Sequence, residues 1–303
     1  MSKVLPSPVS VLTEPRILFA IILMCASSIP FSIMDASVKY LGEYVGVAVA
    51  QIIWIRFLAH IFFTVILIGP KAVPGALAAN RPWLQLLRSV FLLGATGFNF
   101  YALKTLQLDQ TVTIFFLSPL VVAALAGPIL GEWVGWRRLI AICVGFIGVV
   151  IVMQPTVEGI KPAFLLAFCA AISYSCYNIC TRYLSTYDST ATTQLFSPFA
   201  GLIAVSPFAF MQWSWSHDWI TWIILLSLGI TGGFGHWLLI VAHRHAPVST
   251  LAPFVYAGLI SMVIVGYLFF GDLPTDWTII GGSVVITSGI YLLYRERVTK
   301  ENK

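Results

Sequence analysis

Met34-Asp35-Ala36-Ser37-Val38-Lys39-Tyr40-Leu41 returns, loosely but in order, as Tyr177-Asn178-Ile179-Cys180-Thr181-Arg182-Tyr183-Leu184. Each segment closes an apolar run with a basic residue and a Tyr-Leu pair. Working outward at nearly the same offset, Gln51 falls over Gln194, and Tyr101-Ala102-Leu103-Lys104 over Val241-Ala242-His243-Arg244. Gly131-Glu132 then falls over Gly271-Asp272, and Trp136 and Gly148 fall over Trp277 and Gly289 after one inserted residue. Matches strung in order at one offset mark an internal duplication.

The duplicated unit is built from apolar stretches. Ten of them run at about 17–38, 45–69, 83–103, 108–127, 136–153, 162–183, 192–211, 219–241, 248–270 and 277–294. A hydrocarbon core about 30 Å thick needs roughly 20 apolar residues of helix to cross it. The chain is 59% hydrophobic and only 10% charged, with a mean hydropathy of +0.92. A soluble domain carries about 25% charged residues. The expected fold is therefore an all-α membrane protein with ten transmembrane helices. Residues 1–158 and 159–303 form its two five-helix repeats.

Charge gives the orientation. With the N-terminus in the cytoplasm, thirteen Lys and Arg fall on that side, Arg88 counted among them, and three (Lys39, Lys104 and Lys161) fall opposite. Arg56 lies within the second stretch. This bias is the positive-inside pattern, and it predicts two cytoplasmic termini. Five spans per repeat is an odd number, so the second repeat enters the membrane inverted: Lys104 falls outside and its counterpart Arg244 inside. Inverted repeats can exchange inward- and outward-facing shapes around one central site. The first apolar run is longer than a signal-peptide core and is not cleanly followed by a small-residue cleavage site, so it is expected to remain as a span. The net charge of +5 is scattered over loops and forms no nucleic-acid patch. The five cysteines all lie within spans, which argues against a disulfide framework.

Several of these features resemble a known family. The basic residues ending spans one and six, Trp54-Ile55-Arg56-Phe57 in span two and the Gly-Glu and Gly-Asp steps after spans four and nine are similar to the EamA branch of the drug/metabolite transporter superfamily. Within that branch the chain most resembles the YddG-type amino-acid exporters. The resemblance covers residues 17 to 294 or so. It departs at Ser197-Pro198, which replaces Trp54-Ile55 in the second repeat. The resemblance implies an exporter of amino acids or similar metabolites in the cytoplasmic (inner) membrane, working as a monomer. It also implies that spans one, three, four, six, eight and nine line the centre.

Polar groups within a bilayer are expensive and face the interior. The candidate cavity residues are Asp35, Arg56, Asn99, Tyr101, Ser118, Tyr174, Asn178, His236, Trp237 and Tyr256. Arg56 either grips a substrate carboxylate in bidentate fashion or bonds its own helices. Asp35 either carries a proton or a substrate amine, or pairs with Lys39 one turn away. Helix breakers mark irregular backbone, which membranes tolerate where it lines a cavity. Pro30, Pro119, Gly232, Gly233 and Pro253 are the candidate hinges or gates; close helix packing is the other reading of the glycines.

Other functions find no motif. There is no GxxxxGK[ST] loop to bind ATP and no HExxH zinc site. No histidine in the last span supports Thr287-Ser288-Gly289 as part of a serine protease. No cofactor or metal is expected. Many neutral polar and aromatic groups with one buried cation suit a small zwitterionic or amphipathic solute better than a sugar phosphate or nucleotide sugar. A drug or cation exporter of the same superfamily is the remaining alternative.

Overall fold

A computed structural model describes residues 14–118, 120–122, 124–125, 136–153, 161–246, 251, 254 and 257–301. Pro119, Pro253 and Tyr256 lie outside the described residues. All regular structure among those described is helical. In a medium without water each backbone amide must bond within its own segment, and a helix does this.

The first repeat contains α1 (Glu14–Lys39), prolonged by a π-helical turn over Tyr40–Tyr44, then α2 (Val49–Ile68), a short α3 (Val73–Leu77), α4 (Pro82–Leu103), α5 (Leu108–Phe115) and α6 (Trp136–Met153). The second contains α7 (Pro162–Leu184), α8 (Thr190–Phe196), α9 (Phe199–Met211), α10 (Trp219–His245), α11 (Ala257–Phe270) and α12 (Asp276–Glu301). Pro82 and Pro162 open their helices, where a missing amide costs nothing. Asp218 caps α10 by accepting from the Thr221 amide at 2.9 Å.

Six segments are long and apolar enough to cross a membrane: Arg16–Tyr44, Val49–Ile68, Pro82–Leu103, Pro162–Leu184, Thr190–Met211 and Trp219–His245. Leu108–Val122, Leu139–Met153 and Gly258–Phe270 are apolar but shorter. The count of ten expected from sequence thus reduces to six by this measure among the described residues, because several stretches run into residues outside them. The seventh expected span is two helices, broken at Ser197-Pro198.

The outside is apolar and the inside polar. Ile66 is 79% exposed and Ile203 72%, whereas Arg56, Arg88, His60, Gln85 and Gln194 are buried. In water this arrangement would expose a large apolar patch; in lipid it is the favourable one.

The packing follows the duplication. α1 packs on α10 and α4 on α7, and these two pairs exchange when the repeats are exchanged. α6 packs on α12 and α2 on α9, which join equivalent elements. Glycines set the closest approaches. A Cβ on Gly148 would stand 2.7 Å from the Gly281 carbonyl oxygen, and one on Gly229 would stand 2.6 Å from the His60 amide nitrogen. Far from these contacts, Lys39 at the end of α1 pairs with Asp272 at 2.9 Å. Of the two readings of Asp35, the pair with Lys39 is not formed: Lys39 turns to Asp272, with Glu43 at 4.0 Å.

Candidate functional site

A cavity opens where the repeats meet, with about 870 Å³ of empty space including its mouth. α1 contributes Ser27, Ser28, Phe31, Ser32 and Asp35; α4 contributes Thr96, Asn99 and Phe100. Thr111 and Phe115 come from α5, Tyr174 from α7, His236 from α10, Gly258 and Met262 from α11, and Arg56 from α2. Phe254 completes the wall. The spans expected at the centre are represented, together with Arg56 of the second.

Of the ten sequence candidates, Asp35, Arg56, Asn99, Tyr174 and His236 line this space. Ser118 is buried and bonds Ser175 at 2.9 Å instead. Asn178 is buried away from the cavity, Trp237 is half-buried away from it, and Tyr101 is 47% exposed. Helix α1 runs unbroken through Pro30, and α10 through Gly232 and Gly233. A Cβ at Gly232 would sit 3.2 Å from Arg56 Nε, and one at Gly233 would sit 2.6 Å from the Phe63 ring. Both glycines therefore let neighbouring side chains reach the helix surface.

From the cavity wall runs a buried chain of hydrogen bonds. Arg56 Nε donates to Met34 Sδ at 3.2 Å, and Nη1 to Thr96 Oγ1 at 3.0 Å. Its Nη2 lies 3.2 Å from His236 Nε2. A guanidinium only donates, so Nε2 must accept and the ring carries its proton on Nδ1. That proton points to Tyr177 Oη, 3.1 Å away, which also accepts from Arg88 Nη2. Arg88 continues to Thr181 at 2.7 Å and to Thr193 O and Ser197 Oγ, each at 2.9 Å. Two arginines thus tie α1, α2, α4, α7, α8 and α10 together. Neither has a carboxylate within ion-pair distance among the described residues. Positions 96 and 236 stand 140 apart, the offset that places Tyr101 over Val241. Arg56 is gripped by equivalent residues of the two repeats.

Arg88 corrects the sequence reading, which counted it with the cytoplasmic charges although it falls inside the 83–103 stretch. It is buried within α4, and its apolar neighbours Leu86, Leu87, Val90 and Phe91 were the available signal. Thr96 and the three α1 serines were also missed; small hydroxyls in a helix give no periodic pattern. Replacing Tyr177 by Phe leaves Arg88 Nη2 and His236 Nδ1 without that acceptor. An unsatisfied buried group costs about 1–3 kcal/mol, so Tyr177→Phe is expected to lower the melting temperature in detergent. Ligand affinity should hardly change, because Tyr177 does not line the cavity.

A model of the EamA-like transporter family matches residues 18–154 and again 161–295, which together span nearly the whole chain. The chain belongs to the EamA-like transporter family. The two matches are the two repeats. Among similar EamA-family-length proteins, the S-adenosylmethionine uptake transporter of Rickettsia prowazekii is 27% identical over 91% of this chain and 93% of its own. The riboflavin transporter of Vibrio cholerae is 24% identical over 92% of this chain and 94% of its own. A crystal structure at 15% identity superposes with a TM-score of 0.61, covering 94% of this chain and 97% of that one; the fold is shared. These relatives carry transporter names, and neither is named an amino-acid exporter. Among the described residues no three His, Cys, Asp or Glu side chains are grouped as metal ligands.

Proposed function

We propose that this EamA-family chain is a ten-span secondary transporter of the cytoplasmic membrane, carrying a small amphipathic metabolite by alternating access. In this reading both termini are cytoplasmic, 1–158 and 159–303 are inverted repeats, and the working unit is a monomer. The observation that carries it is the cavity: both repeats build it, and rings and hydroxyls line it deep within an apolar body. A metabolite with a flat ring and a polar arm suits such walls. The names of the S-adenosylmethionine and riboflavin transporters support that solute shape.

Amino-acid export finds less support. Three of the five Arg56 N–H groups already have protein partners, and neither named relative is an amino-acid transporter. The chain has no phosphate loop for ATP, so the solute's own gradient or an ion gradient drives the movement.

Counterflow in proteoliposomes tests the proposal, with labelled S-adenosylmethionine, riboflavin and a panel of amino acids. Saturable counterflow of either ring-bearing solute is the expected result. Flux of amino acids alone overturns the solute class, and no flux from correctly inserted protein overturns the assignment.

A further inference from the structure

The cavity contains one carboxylate. Asp35 is 7% exposed and lines the space, and it has no cation within ion-pair distance among the described residues. Its one hydrogen bond comes from Asn99 Nδ2 to Oδ1, at 3.3 Å. Asn99 is 6% exposed and lines the same cavity, and its Oδ1 has no hydrogen-bond partner among the described residues. Two acceptors from neighbouring helices thus face one cavity, one of them a carboxyl group. Buried acceptors without donors are costly, and a carboxylate without a counter-charge is more so.

The positive groups nearby do not fill the need. Arg56 is committed to Met34, Thr96 and His236, and Lys39 to Asp272. The rings of Phe31, Phe100, Phe115, Tyr174 and Phe254 line the same cavity. Aromatic faces attract cations, most strongly when water is excluded. An anionic solute would share the cavity with the Asp35 carboxylate.

We propose that Asp35 and Asn99 form a cation subsite, so that the transported solute is an organic cation. An ammonium or sulfonium centre sits against Asp35, a donor on it reaches Asn99 Oδ1, and an apolar or ring-bearing body lies among the aromatic side chains. This rests on the transporter reading of the same cavity and names the charge of its solute. An ammonium donates to both acceptors; a sulfonium has no N–H and relies on Asp35 and the rings.

The test compares ligands of one shape and different charge on the purified full-length protein. S-adenosylmethionine is set against S-adenosylhomocysteine, which lacks the sulfonium methyl and its charge. Benzyltrimethylammonium is set against its neutral carbon isostere, neopentylbenzene. Binding is read by thermal shift, and competition by inhibition of whichever solute shows counterflow. The expected result is a preference of tenfold or more for the cation in at least one pair, about 1.4 kcal/mol or more. Asp35→Asn keeps the shape and is expected to erase that preference.

Equal or better binding of both neutral members overturns the subsite, as does a cation preference that survives Asp35→Asn. The wild-type pairs decide the question even if the variant fails to fold. Counterflow of riboflavin without any cation preference sinks the subsite and leaves the transporter reading standing. Cation binding without any counterflow does the reverse.

Discussion

Gly229→Leu is expected to remove nearly all folded protein, while Gly266→Ala leaves its amount unchanged. At position 229 the first added carbon would stand 2.5 Å from the Ala59 carbonyl carbon and 2.6 Å from the His60 amide nitrogen. These are backbone atoms of α2, and no rotamer change can move them aside. Helices α2 and α10 must part, and the Arg56–His236 and His60–Gln194 bonds between neighbouring helices part with them. Overpacking costs about 1–3 kcal/mol where side chains can give; contact with backbone belongs at or beyond the top of that range. A shift of about 3 kcal/mol lowers the folded-to-unfolded ratio more than a hundredfold. At Gly266 the added carbon meets Leu108 at 3.8 Å, an ordinary contact. Size-exclusion of a fluorescent fusion in mild detergent reads both. Wild-type amounts of monodisperse Gly229→Leu protein would show that the close approach of α2 and α10 is dispensable.

The second large effect is expected at Arg88, and it inverts the usual ranking of conservative changes. Arg88→Lys keeps the charge but has one nitrogen where four acceptors are spread over α7, α8 and Ser197. A lysine ammonium is a point charge and cannot span that fork. It also loses the guanidinium's stacking on Tyr177, 4.3 Å from the ring centre. Bonds to charged groups are worth about 1.5–3 kcal/mol in soluble proteins and nearer 0.6 kcal/mol on average between membrane helices. Four of them give a loss of about 2–4 kcal/mol. Arg88→Met removes the charge altogether, and a buried charge that has lost its partners is worse than none. The melting temperature in detergent is therefore expected to fall in the order wild type, Met, Lys. A lysine variant as stable as wild type would mean that the fork of hydrogen bonds contributes nothing. Arg88 is outside the cavity, so surviving protein should keep its ligand affinity.

The repeat and the membrane setting were legible in the sequence, because both are carried by many residues at once. The 34–41 and 177–184 segments, the apolar runs and the loop charges point the same way. Single polar side chains were harder. Asp35, Asn99 and His236 were found because polar groups in apolar runs stand out, and they do face the cavity. Arg88 was missed for the opposite reason: it lies close enough to the start of α4 to resemble a loop charge. A Lys39–Asp35 pair was one of two readings left open because helix spacing offers that neighbour, whereas the partner of Lys39, Asp272, lies 233 residues away. Spacing along one helix reports only local partners. Trp237 and Asn178 were placed on the right helices, but which face of a uniformly apolar helix turns inward cannot be read from a pattern that has no polar side.

The pairing of helices across the repeats has a consequence for the order of assembly. α1 is complete about 180 residues before its main partner α10 begins, and α6 is complete more than 120 residues before α12. The first repeat is therefore synthesised before its largest contact surfaces have partners, and Arg56 before its bond to His236 can form. Neither half can therefore complete its packing before the other is made.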